Sequence, residues 1–121
     1  MIAVWIFLGG GLGSLARFGV GKFMNSFFET QFPLGTFISN ILACTILAII
    51  AYQIPLKNDQ SWVHPFMIIG FCGGFSTFST FSNENMTLFA QGNYALAITN
   101  ILISVVAGIA IIFLIKQKAG V

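Results

Sequence analysis

Apolar residues run almost unbroken through long stretches of this chain and are not confined to one face of each element, as a water-soluble core would require. Four stretches reach the roughly 17 to 25 residues that a membrane-spanning helix needs. The first covers residues 2–22 with only Arg17 inside, and the second covers 34–54, between Pro33 and Pro55, with no charge. The third, 66–89, follows Pro65 and stays uncharged until Glu84; the fourth, 94–115, is uncharged and ends on Lys116 and Lys118. The pattern predicts an all-α membrane protein whose four transmembrane helices form a single domain over residues 1–121. Connections at 23–32, at 55–64 and around Gln91-Gly92-Asn93 leave no room for a second, soluble domain, so function is expected within the membrane.

Composition sharpens this picture. Only 7% of residues are charged, against roughly 25% in a soluble domain, and 57% are hydrophobic, which excludes an ordinary soluble enzyme. The first stretch lacks the basic n-region and the clear cleavage site of a signal peptide, the competing reading of it. Trp5, Trp62 and Tyr52 fall near predicted span ends, as aromatic belt residues do, although Trp5 could equally pack on a neighbour. Cys44 and Cys72 lie inside spans, where thiols usually act as small apolar fillers. An even number of spans places Lys57, Lys116 and Lys118 on one side and Lys22, with or without Arg17, on the other. That small bias leaves two-way insertion and a fixed orientation both open. A nucleic-acid partner is not expected.

Polar groups inside a bilayer are costly, and the third span holds most of them. Residues 70–84 contain three glycines, three serines, two threonines and four phenylalanines in fifteen positions. Gly73-Gly74 lowers helix propensity by about 1 kcal/mol per glycine, so a break near the middle of this span is expected there. Carbonyls freed at a first half-helix suit a cation, and amides at the start of a second suit an anion. Gly70 and Gly74, four apart, fit close helix packing equally well. Phe78 and Phe81, three apart, share a helical face with Ser79, Thr80 and Ser82 beside them, and ring edges with hydroxyl hydrogens can surround an anion without a fixed charge. Ordinary packing is the plainer reading of those phenylalanines. Thr36 and Asn40 offer donors from one face of the second span; Ser104 does so from the fourth, with Asn100 one turn before it. Each could instead be a helix–helix hydrogen bond worth about 1 kcal/mol. Arg17 and Glu84 need partners or a wet vestibule; Arg17 either gathers anions at a pore mouth or snorkels to the headgroups.

Three segments, 9–18 (GGGLGSLARF), 35–40 (GTFISN) and 70–82 (GFCGGFSTFSTFS), resemble the signatures of the Fluc family of fluoride channels, also called CrcB. With the four-span plan, the resemblance covers essentially the whole chain, and the third motif is the specific one. It implies a multi-pass channel of the bacterial inner membrane that lets fluoride leave the cytoplasm passively. It further implies an antiparallel, dual-topology dimer of two copies in lipid, with two pores. Phe78 and Phe81 would then be the pore phenylalanines with Asn40 between them, Ser79, Thr80, Ser82 and Glu84 a polar track, Ser104 the fourth-helix contribution and Arg17 a vestibule residue. The carbonyls of Gly73 and Ser76 from both copies would surround a structural sodium ion on the dimer axis. Phe75-Ser76-Thr77 departs from the family's usual smaller aliphatic residue and two threonines, and Asn100 stands where many members have tyrosine.

Two rival classes remain. A small proton-coupled drug exporter also has four spans and can insert both ways, but needs a membrane-embedded carboxylate; the first span has none and Glu84 sits late in the third. A purely structural membrane subunit would carry no ion flux.

Overall fold

The computed structural model describes residues 1–120, which are helical apart from short connections, with no β-strand among them. Helix α1 is Ile2–Phe27, and α2 is Leu34–Ala48 continued by a wider π-helical turn, Ile49–Gln53. A single 3-10 turn, Asn58–Gln60, precedes α3, which is π-helical over His64–Cys72 and α-helical over Gly73–Phe75. Helices α4, Phe78–Ala90, and α5, Tyr94–Lys118, complete the chain. Three of these, Ile2–Phe27, Leu34–Gln53 and Tyr94–Lys118, are long and apolar enough to cross a membrane.

Two helices outrun the lengths expected from the sequence. α1 continues through Lys22 to Phe27, and α5 continues through Lys116 to Lys118. A charged side chain marks where lipid gives way to water, whereas the backbone ladder that defines the helix is indifferent to that boundary. The α4–α5 connection closes tightly because Gly92 adopts φ +81°, which lets the Asn93 amide reach back to the Leu88 carbonyl at 2.8 Å.

Small residues set how the helices pack. α1 lies along α3 with Gly9 and Gly13 pressed on the backbone of residues 66–75, and with Gly70 and Gly74 pressed back on residues 6–10. A Cβ on Gly70 would sit 2.8 Å from the Ile6 carbonyl oxygen and 3.0 Å from the Gly10 nitrogen, so only glycine permits this approach. In lipid, where apolar surface gains little by leaving its solvent, such contact is the main source of helix association. α2 lies along α5 with the same economy: Ala43, Ala48 and Ala97 are fully or almost fully buried, and Gly108 faces the Cys44 sulfur. Large side chains such as Phe7, 78% exposed, and Ile109, 66% exposed, point outward, the reverse of a soluble core. At one end Trp5, Trp62 and Phe66 stack with centroids 5.4–6.1 Å apart, and the Lys116 ammonium lies 5.5 Å from the Tyr52 ring centre. At the other, Asn93 donates to Gln31 across the two connections.

Candidate functional site

Between α3 and α4 two residues leave the helical conformation. Ser76 (φ −82°, ψ 156°) and Thr77 (φ −152°, ψ 122°) are extended, and helix resumes at Phe78. Gly73 and Gly74 themselves are helical, so the interruption lies two residues beyond the position that glycine propensity indicates. The glycines serve packing at 70 and 74, while side chains fix the interruption. Ser76 folds back on α3, its amide and hydroxyl both donating to the Cys72 carbonyl at 3.0 and 2.8 Å. Thr77 caps α4, its hydroxyl oxygen accepting from the Thr80 amide at 3.3 Å.

The third fixture comes from α2. The Thr77 N–H, which in an unbroken helix would reach the Gly73 carbonyl, donates instead to Asn40 Oδ1 at 2.8 Å. A backbone N–H accepts nothing, so the oxygen of this amide must face Thr77 and its NH2 group must face away. Asn40 also lines an open cavity of about 250 Å³ together with Thr77, Phe78, Phe81 and Ser104. Phe78 is 80% exposed and Phe81 half-buried, their ring centres 6.3 Å apart. The cavity thus gathers five of the site residues singled out in the sequence, Asn40, Ser76, Phe78, Phe81 and Ser104, from α2, α4, α5 and the joint between α3 and α4. Ser104 enters it with its hydroxyl hydrogen engaged by Asn100 Oδ1 at 3.0 Å.

Other candidates lie elsewhere. Thr36, one turn before Asn40 on α2, borders two adjoining cavities. One, of about 410 Å³, contains Glu84 with Thr87, Gln31 and Gln91; the other, of about 330 Å³, contains Arg17 and Lys22. Glu84 Oε1 is buried without a protein partner. Arg17 turns inward, and its Nε donates to the Gly74 carbonyl at 3.3 Å, supplying a donor to the end of α3. Ser79 and Ser82 are exposed on α4, Thr80 is half-buried, and none of the three lines a cavity described here. Gly73 and Ser76 border a nearly apolar cavity of about 140 Å³ with Cys44 and Cys72, both free thiols.

Sequence reasoning missed Thr77, the residue that terminates one helix and starts the next, and Asn85. Asn85 is 4% exposed and accepts from Asn100 Nδ2 at 2.8 Å. Its spacing from Phe81 and Leu88, four and three residues away, placed it on the inward face of α4 and was the available signal. Ser39, fully buried with an unpartnered hydroxyl, was also passed over.

A family model described as CrcB-like protein, Camphor Resistance (CrcB), matches residues 4–115. Similar chains include one from Azobacteroides pseudotrichonymphae genomovar. CFP2, 43% identical over 109 residues covering 88% of this chain and 86% of that one. One from Phocaeicola vulgatus is 43% identical over 107 residues, covering 86% of each, and one from Pyrococcus abyssi is 38% identical over 111, covering 90% and 88%. All three are named fluoride-specific ion channel FluC.

Proposed function

This chain belongs to the CrcB family, and on that premise we propose that it is a passive, fluoride-selective channel through which the ion leaves the cytoplasm across the bacterial inner membrane. The named members are ion channels, and the chain is a multi-pass membrane protein rather than an enzyme. α3 and α4 are the two halves of one further crossing, which brings the number of spans to four.

The observation that carries the reading is the position of Asn40. A small anion loses tens of kcal/mol of hydration in an unbroken apolar medium, so its path must offer replacement donors. The amide of Asn40 is held by the Thr77 N–H so that its two hydrogens are left for the cavity, beside the rings of Phe78 and Phe81. Ring edges carry partial positive charge and amide hydrogens more, and neither binds as tightly as a lysine would. Weak, closely spaced sites favour release, which conduction requires. Ser79, Thr80 and Ser82 extend the donors along α4. Arg17, Lys22 and Thr36 attract the anion at one mouth, and Glu84 lines the cavity that adjoins it.

A single copy leaves this path open on the side of Phe78, 80% exposed. A second copy in antiparallel orientation closes it and gives two equivalent pores in the surrounding lipid. The same pairing brings together the Gly73 and Ser76 carbonyls. The Gly73 carbonyl has lost its helical partner to Asn40, and nothing lies within 4 Å of the position a Cβ would take there, so the backbone is free for close approach. Carbonyl oxygens suit a hard cation, and one chain offers too few, so these residues fit a structural sodium ion shared by two copies. Bound there, the ion would tie the copies together by charge.

Fluoride-loaded liposomes carrying the purified protein should empty once a counter-ion can move, and chloride-loaded ones should not. No fluoride efflux under those conditions refutes the channel reading.

A further inference from the structure

Behind the cavity wall, α4 and α5 share a buried polar contact that the path described above does not use. Asn100 is 1% exposed and Asn85 4%. Asn100 Nδ2 donates to Asn85 Oδ1 at 2.8 Å, and Asn100 Oδ1 accepts from the Ser104 hydroxyl at 3.0 Å. The two bonds run in one direction. With its NH2 group committed to Asn85, the Asn100 amide can offer Ser104 only its oxygen. A serine hydroxyl has one hydrogen, so the part of Ser104 that borders the cavity presents lone pairs, which repel an anion.

We propose that Asn100 is a positioning residue that withholds the Ser104 hydrogen from the pore, with Asn85 fixing the orientation of its amide. The inference rests on the fluoride-channel reading. An anion reaching Ser104 must draw the hydroxyl away from Asn100, and on leaving returns it. The exchange costs one internal hydrogen bond, which keeps this station weak and speeds release. Asn100 touches no ion and acts only through Ser104.

The test is fluoride efflux from proteoliposomes over a range of fluoride concentrations for the wild-type chain, Asn100→Leu, Ser104→Ala and the double variant. Asn100→Leu should lower the half-saturating concentration about fivefold, the worth of one ordinary net hydrogen bond, and lower the maximal rate. In the Ser104→Ala background the same substitution should change neither quantity. Asn85→Leu with Asn100→Leu removes both amides without leaving a buried orphan and should behave as Asn100→Leu does, which covers the case in which the single variant fails to fold. A wild-type chain that conducts while Asn100→Leu acts equally with or without Ser104, or raises the half-saturating concentration, overturns this inference alone. No flux from the wild-type chain overturns the channel reading and the inference together.

Discussion

Three alanine substitutions on one helix isolate the α1–α3 contact. Gly9, Gly11 and Gly13 all lie well inside α1, so each gains the same helix propensity on changing to alanine, about 1 kcal/mol. They differ in what the new methyl group meets. At Gly11 nothing lies within 4 Å. At Gly13 it would lie 2.9 Å from the Phe75 nitrogen and 3.0 Å from the Phe71 carbonyl carbon, and nearer still to the Phe71 oxygen; at Gly9 it meets the backbone of Phe66 and Phe71. These are main-chain atoms, which cannot swing aside as a flexible side chain can. The helices must part by half an ångström or more, a strain of the kind that costs about 1–3 kcal/mol in a packed core. Gly13→Ala should therefore be about 1–3 kcal/mol less stable than Gly11→Ala. At about 4 °C per kcal/mol that separates their melting points by several degrees. Thermal unfolding in detergent, followed by the fraction that stays monodisperse, measures the gap. A Gly13→Ala chain as stable as Gly11→Ala would refute the close approach of α1 to α3.

Three further outcomes are expected. Asn40→Leu leaves the Thr77 N–H without an acceptor and should cost about 1–3 kcal/mol of stability along with flux, whereas Asn40→Asp keeps the acceptor and should lose flux while retaining stability, read from melting and efflux on the same samples. Arg17→Lys keeps the charge but not the Nε donor to the Gly74 carbonyl, and should lower stability by about 1 kcal/mol in the same melting assay. Phe81→Ile removes the ring edge while keeping apolar bulk and should reduce fluoride efflux at least tenfold; retained flux would show the edge to be dispensable.

The helices were legible in the sequence where their cause is local. Long runs with few or no charges identify α1, α2 and α5, because lipid demands both apolar side chains and a self-satisfied backbone. Their ends were less legible: Lys22 and Lys116 mark an interface, not a stop in hydrogen bonding. The interruption after Phe75 was expected from glycine propensity two residues too early, because its cause is not glycine. It depends on Asn40, 37 positions away, taking the Thr77 amide, and nothing in a local window encodes that partner. The same holds for Asn85 and Asn100: the sequence displays two amides, and only the packing of α4 on α5 makes them a pair. Arg17 illustrates the remaining ambiguity. Its Nε donates to the Gly74 carbonyl at the end of α3, a partner that one-dimensional reading cannot see.

The short length of α4 makes it dependent on the helices around it. Thirteen residues rise about 20 Å and the twelve of α3 slightly less, while the hydrocarbon layer is about 30 Å thick. Neither could hold itself in a bilayer, and α4 is rich in serine, threonine and asparagine besides. Each is held by a neighbour: α3 by the glycine-lined side of α1, and the joint before α4 by Asn40 on α2. The two short helices therefore owe their place to α1 and α2 and not to their own length.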